Sequence, residues 1–502
     1  MDLDRVVGTV DRRVFGGFIE HLGRCIHGGV FDEGSALSDE KGYRCDVLEA
    51  AKVLRPSILR WPGGNFASGY HWTDGIGPRD ERPKKMELAW RAEEPNHFGT
   101  DEFIEYCRLL GTEPYICVNM GTGTLDEAAS WVEYCNGTGD TYWANLRRRN
   151  GHEQPYNVKY WSLGNEMYGK WQIGALSADD YVKKAREFAK VMRRTDPNIE
   201  LVGCGKNGYS EWDRVVIEGL APHVEYHSLH LYTGSDDYWS NVLAPHQAER
   251  ALSASQALID RTRYLQRIER PIYVAFDEWN VWFRVRGEVV ALLEERYNLS
   301  DALAVATYLN IFVRRCQTVK IANLAQMVNA IAPIFTSEDG IFLQTIYHPL
   351  RLYAEHMRGV ALDVYVDCET HDLTGTETSP WPHRVADLGP FKLLDVAGTR
   401  DEAGLTLAVV NRDPRRAVAA TVSLADGEFT RGAIAYEVTG PSPLATNSFG
   451  REEVGLRERP VEAAGSAFKH EFPACSVTVL EVALDPGRRR GQGATKIGTE
   501  VR

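Results

Sequence analysis

The stretch Tyr160-Trp161-Ser162-Leu163-Gly164-Asn165-Glu166 is an apolar run that closes on an amide and a carboxyl group. Val158, Tyr160, Trp161 and Leu163 suit a buried strand. Gly164 lets the chain turn, and Glu166 emerges where a strand hands over to a loop. Ile272-Tyr273-Val274-Ala275-Phe276-Asp277-Glu278-Trp279-Asn280 repeats the pattern. With Val158–Leu163 and Ile272–Phe276, the runs Val14–Ile19, Ser57–Trp61, Pro114–Asn119, Leu201–Cys204, His227–Tyr232 and Ala322–Val328 make eight strands. Helical patterns separate them, among them Asp46–Leu54, Asp101–Leu110, Asp126–Tyr134, Ser177–Thr195 and Asp301–Arg315. In Ser177–Thr195, Ser177 and Asp180 resemble a capping box, Tyr181, Ala185, Phe188 and Met192 form one stripe, and Asp196-Pro197 stops the helix. Eight alternations over roughly 350 residues predict an α/β fold, a (β/α)8 TIM barrel rather than a doubly wound sheet. In such a barrel the C-terminal strand edge carries the chemistry.

After Val360 the texture changes. Leu405–Val410, Ala419–Leu424, Ala433–Val438 and Ser476–Val482 alternate or are β-branched, with Gly, Pro and Asp between them. This predicts a C-terminal antiparallel β-sandwich, jelly-roll-like, over 360–485. The barrel then spans 13–359. Residues 1–12, with the strand-like Arg5–Val10, are expected to join the sandwich, and 486–502 to form a disordered tail.

A chain of 502 residues is too long for one core, in keeping with two domains. Its formal net charge of -13 excludes a nucleic-acid partner, which needs a basic face. The nine cysteines are scattered with no Cys-x-x-Cys pair, so neither a disulfide framework nor a zinc site is expected. Met1-Asp2-Leu3-Asp4-Arg5 lacks a signal-peptide pattern, and no apolar run reaches the ~20 residues of a membrane span. The expected setting is a reduced cytoplasm, with no membrane partner.

Glu166 and Glu278, each after a buried strand, are the residues read as catalytic. Two carboxylates on two strands of one barrel are the minimum for splitting a glycosidic bond. Side chains of consecutive strand residues face opposite ways, so only one of Asp277 and Glu278 is expected at the mouth. Phe15-Gly16-Gly17-Phe18-Ile19-Glu20-His21 puts another acid at the first strand's end. Barrel metallohydrolases show two histidines spaced by one residue. His21 has no such partner, and His227 and His230 are three apart, so no metal and no cofactor is expected. In Leu59-Arg60-Trp61-Pro62-Gly63-Gly64-Asn65 the glycines lack the Gly-Lys-Ser/Thr of a phosphate loop, and are read as a tight turn that presents Asn65.

Six stretches together resemble glycoside hydrolase family 51, chiefly α-L-arabinofuranosidases. They are Phe18-Ile19-Glu20-His21-Leu22-Gly23-Arg24, Arg60-Trp61-Pro62-Gly63-Gly64-Asn65, Leu163-Gly164-Asn165-Glu166-Met167, Asp277-Glu278-Trp279-Asn280-Val281-Trp282, Asn323 to Pro333, and Gln344-Thr345-Ile346-Tyr347. The resemblance implies that Glu166 is the acid/base and Glu278 the nucleophile, and that Asn165 holds the sugar 2-hydroxyl. By the same resemblance Glu20 and Asn65 bind other furanose hydroxyls, Tyr232, Gln326 and His230 orient nucleophile and sugar, and Trp90 and Trp282 wall the pocket. It also implies arabinose-containing oligosaccharides as partners, independence of metal, and a homo-oligomer, often a hexamer. The chain departs from the pattern at Met167-Tyr168-Gly169-Lys170-Trp171, where relatives often have an acidic residue and a proline flanking the glycine.

The expected reaction is double displacement by an exo-acting enzyme, which requires carboxyl groups roughly 5 Å apart. Repulsion from Glu278 is expected to raise the pKa of Glu166. The alternatives are another retaining barrel glycosidase (endoglucanase, xylanase or β-xylosidase), a catalytically silent carbohydrate-binding protein, and, more distantly, a metallohydrolase.

Overall fold

A computed structural model of the chain describes residues 1–283, 293–373 and 385–484. The tail expected over 486–502 lies outside the described residues. Eight strands close into a barrel in sequence order: Gly16–Phe18, Ile58–Trp61, Glu113–Cys117, Tyr160–Leu163, Glu200–Gly203, Tyr226–Thr233, Tyr273–Val281 and Val319–Ala325. Each pairs in parallel with its successor, and the eighth pairs with the first. Ile58, Tyr115, Tyr160, Val202, Tyr226, Ala275 and Ile321, one from each of seven strands, fill the interior as an apolar layer. Above it the inward positions turn polar.

The strand bounds shift by a residue or more throughout, and three of the differences bear on the site. The first begins only at Gly16, because Arg12–Phe15 is a 3-10 turn capped by Asp11. The eighth ends at Ala325, so Gln326 stands just beyond it rather than inside it. The seventh does not stop at Phe276 but runs to Val281, carrying both acids within the strand. Its pairing slips against both neighbours, after Ala275 on one side and after Phe276 on the other. Such a bulge adds a residue and re-aims side chains, and it lies beside the two acids.

The helices follow their caps. Ser177 accepts from the Asp180 backbone at the start of Ala178–Thr195; no reciprocal bond closes a capping box there, in contrast to Ser210/Asp213 and Asn298/Asp301. Among the described residues no helix is long and apolar enough to cross a membrane.

Beyond the barrel, a seven-stranded antiparallel sheet takes the order Val6–Thr9, Val360–Leu362, Leu394–Arg400, Leu405–Asn411, Ser476–Leu484, Phe429–Thr439, Gly455–Val461. One face is covered by the ribbon Val418–Ser423/Ala467–Phe472, through Val422, Phe468 and Phe472. The other face shares a core with the barrel helix Leu299–Arg314: Ala397, Ala408 and Val477 join Leu303 and Phe312. A buried polar knot ties the two together. Asp395 accepts from Asn310 at 2.8 Å and Arg314 at 3.0 Å and lies 3.4 Å from Arg412. Breaking such a knot leaves an uncompensated buried charge, at a cost of about 3–5 kcal/mol.

Candidate active site

The polar layer at the C-terminal strand edge is organised around Arg60, whose strand Ile58–Trp61 is buried throughout. A guanidinium there must be paired. Its Nη1 donates to Glu278 Oε2 at 2.8 Å and its Nη2 to Asn165 Oδ1 at 2.6 Å, and its plane lies over Phe18. Glu278, inside the seventh strand, and Asn165, just past the fourth, are thereby fixed by one fork. Although quoted within a motif, Arg60 went unassigned in the sequence; a charge inside an otherwise buried strand was the available signal.

Asp277 and Glu278 do not face opposite ways as alternation alone demands. Asp277, 1% exposed, points down the barrel, accepting from Tyr115 at 2.6 Å and Ser228 at 2.5 Å. Glu278 stands at the mouth, where Tyr232 donates to Oε1 at 2.7 Å. Both acids meet His230: Nε2 lies 3.4 Å from Asp277 and Nδ1 3.5 Å from Glu278. The bulge between Ala275 and Glu278 makes this possible.

Glu166 arrives from the opposite wall. Gly164 takes φ +78, and an added Cβ would stand 3.0 Å from Met120 Cβ; Glu166 itself takes φ 43, a costly region for a non-glycine residue. Its carboxylate accepts from His230 Nδ1 at 3.0 Å, Tyr168 at 3.0 Å and Trp171 at 2.7 Å. Carboxylate oxygens of Glu166 and Glu278 lie within 4.8 Å of each other. The expectation that repulsion raises Glu166 is overturned. Burial pushes it up, but hydrogen bonds from His230, Trp171 and Tyr168, with the His230 charge, hold it below the ordinary carboxylate range. Burial would lower His230, yet Glu278, Asp277 and Glu166 together push it up to about 10. The carboxylates around His230 raise the imidazole, and its charge in turn lowers Glu166.

Glu20 lies beyond, accepting from the Phe66 backbone at 3.0 Å, Trp90 Nε1 at 3.1 Å and Gln326 at 3.0 Å. Gly63 and Gly64 are glycines because Glu20 fills the space beside them: added Cβ atoms would meet its Cγ and Oε2 at 2.9 Å. Burial raises Glu20 to about 7. Asn65 begins the turn after these glycines, its carbonyl 3.5 Å from Gln172 Nε2. Trp282 leaves the seventh strand edge-on to Tyr232, ring centroids 5.3 Å apart. Glu166, His230, Glu278, Tyr232 and Trp282 are thus linked by direct contacts, Asn165 joins them through Arg60, and Asn65 joins through Gln172, which also accepts from Asn165 at 3.4 Å, while Glu20, Trp90 and Gln326 form a second hydrogen-bonded set.

Among the described residues two clusters bring ligand atoms within 4.8 Å of one another: Glu166/His230/Glu278, and His21/His27/Glu94. In the second, His21 Nδ1 meets Glu94 at 2.8 Å and Nε2 accepts from Trp61 at 3.1 Å, so both ring nitrogens are engaged. His27 Nε2 lies 3.0 Å from the other Glu94 oxygen.

Comparison with known proteins decides the family. Residues 50–250 match the model of the alpha-L-arabinofuranosidase 1 domain, and 277–476 that of the alpha-L-arabinofuranosidase C-terminal domain. Alpha-L-arabinofuranosidase C of Emericella nidulans is 46% identical over 494 residues, 95% of each chain. The chain belongs to glycoside hydrolase family 51, the α-L-arabinofuranosidases. Solved family members agree. The arabinose complex of the Thermotoga maritima α-L-arabinofuranosidase superposes with a TM-score of 0.87 at 41% identity, covering 96% of this chain and 99% of that one. A curated relative from Halalkalibacterium halodurans, named an intracellular exo-alpha-(1->5)-L-arabinofuranosidase, is 41% identical over 73% of this chain and 77% of its own. As a family 51 α-L-arabinofuranosidase the chain acts on arabinose-containing substrates, and its C-terminal strand edge, from Glu20 to Glu166, is where carboxylates, imidazole and indoles gather.

Proposed function

We propose that this α-L-arabinofuranosidase removes terminal, non-reducing arabinofuranosyl residues from arabinan- or arabinoxylan-derived oligosaccharides by a retaining double displacement. The observation that carries the reading is the separation of the Glu166 and Glu278 carboxylates, within 4.8 Å. Retaining pairs stand about 5–5.5 Å apart and inverting pairs about 6.5–9.5 Å. Glu278, held by Arg60 and Tyr232, attacks the anomeric carbon while Glu166 protonates the leaving oxygen. His230 Nδ1, 3.0 Å from Glu166 Oε1, is placed to supply the proton; a sugar that seals the site from water favours the neutral acid and draws the proton across. Once the ester forms, Glu278 has no charge, and Glu166 takes a proton from the incoming water. Glu20, Gln326, Trp90 and Asn165 hold the ring.

The printed name of the Halalkalibacterium relative supports exo action. The same name supports a cytoplasmic location, and the family resemblance a homo-oligomer. The test is proton NMR of the first-formed product from defined arabino-oligosaccharides. Release of α-L-arabinofuranose from the chain end supports the reading; β-configured product, or internal cleavage, contradicts it.

A further inference from the structure

The surroundings of Glu166 are not explained by holding an arabinofuranose. The residues assigned above to that ring are Glu20, Gln326, Trp90 and Asn165, whereas Tyr168 and Trp171 are spent on hydrogen bonds to Glu166. Trp171 donates to the carboxylate yet is 61% exposed, so an indole fixed to the acid turns most of its surface to solvent. A large, rigid and open aromatic face at that point is a platform for a sugar ring on the leaving side.

Lys206 stands behind this platform. It follows the fifth strand, Glu200–Gly203, and its carbonyl accepts from the His230 backbone at 2.8 Å, so it is anchored beside the imidazole that serves Glu166. Its ammonium lies 5.2 Å from the Tyr168 ring centroid, and among the described residues no carboxylate comes within 4.0 Å of it. Lys41, Lys84, Lys85 and Lys159 are each paired with an acid, in a chain with 70 acidic and 57 basic residues. The nearest acid in the same turn, Asp213, is spent on His227 and on backbone N–H groups of 206 and 208. Lys170, exposed and likewise without an acidic partner among the described residues, adjoins Trp171 in the loop that departs from the family pattern. An uncompensated cation over an aromatic ring, next to the group that protonates the leaving oxygen, marks a place for a negative charge on the leaving group.

We propose that the leaving side of the site selects aglycones that carry a carboxylate, a uronic acid residue on the oligosaccharide that bears the arabinofuranosyl group, with Lys206 as the specificity-determining residue. This rests on the reading of Glu166 as the acid. The test compares kcat/KM for an arabinofuranosyl xylo-oligosaccharide with one uronic acid on its leaving portion and for the same compound after reduction of that carboxyl to the neutral hexose. The acid form is expected to be preferred by about three- to tenfold, the size of one partly exposed charge pair, and Lys206→Met to bring the ratio to about one. In the unmodified enzyme the preference should also fade with added salt, a readout that needs no variant. Equal rates on the two compounds, or a preference that survives both Lys206→Met and salt, overturn the proposal while leaving hydrolysis itself intact. Failure to cleave either compound, or plain arabino-oligosaccharides, overturns the underlying reading as well.

Discussion

Glu278 and Glu166 stand within 4.8 Å of each other, yet they belong to different kinds of surroundings. Glu278 is gripped by groups on strands, the Arg60 fork and the Tyr232 hydroxyl, which both donate to its carboxylate. Glu166 sits on a strained turn and is bonded to an imidazole, a phenol and an indole at the edge of solvent. The difference teaches that environment, more than residue type, assigns the roles of two chemically identical side chains.

The harshest way to break the comparison is Glu278→Gln, which removes the attacking oxygen and leaves Arg60 facing a neutral group. Turnover should fall on the order of 10⁴-fold or more on every substrate, read as kcat/KM. Glu166→Ala should cost about 10²–10⁴-fold on oligosaccharides but far less on a nitrophenyl arabinofuranoside, whose leaving group needs no proton. Equal losses on both would remove the distinction between the two carboxylates. Tyr232→Phe deletes one hydrogen bond to a charged group and should lower kcat by about tenfold with the fold unchanged by circular dichroism.

Glu20 sharpens the contrast in a subtler way. The folded state keeps its proton up to about 7, whereas the ordinary value is 4.5. Stability from this group is therefore full below 4.5 and is lost as the pH rises through about 7. Denaturant titrations across that window should show a pH slope in the unmodified chain that Glu20→Gln flattens; identical slopes would contradict a buried, protonated Glu20.

Much of this arrangement was readable from the chain. The eight apolar runs place the barrel because burial on both faces leaves no other sequence texture for parallel strands. Both glutamates are read from their place after such runs, and strand ends err by only a few residues. What escaped depended on register and on charge partners. Strict alternation predicts one inward acid at 277–278, and only the bulge after Ala275 lets both meet His230. The sign for Glu166 is not legible in the chain because a charge balance needs all its members: counting two acids without His230 gives a rise where the structure gives a fall. The glycines at 63 and 64 read as a turn, whereas their close contact with Glu20 is a tertiary fact no local pattern carries.

The division of labour between the two glutamates is tested most directly by trapping the covalent intermediate. Glu166→Ala treated with a fast-leaving nitrophenyl arabinofuranoside should accumulate it, since attack proceeds while the water step lacks its base. Peptide mass spectrometry is expected to find one anhydropentosyl group on the peptide holding Glu278, at that residue. An adduct on Asp277 or Glu20, or turnover with no adduct at all under burst conditions, would contradict the assignment.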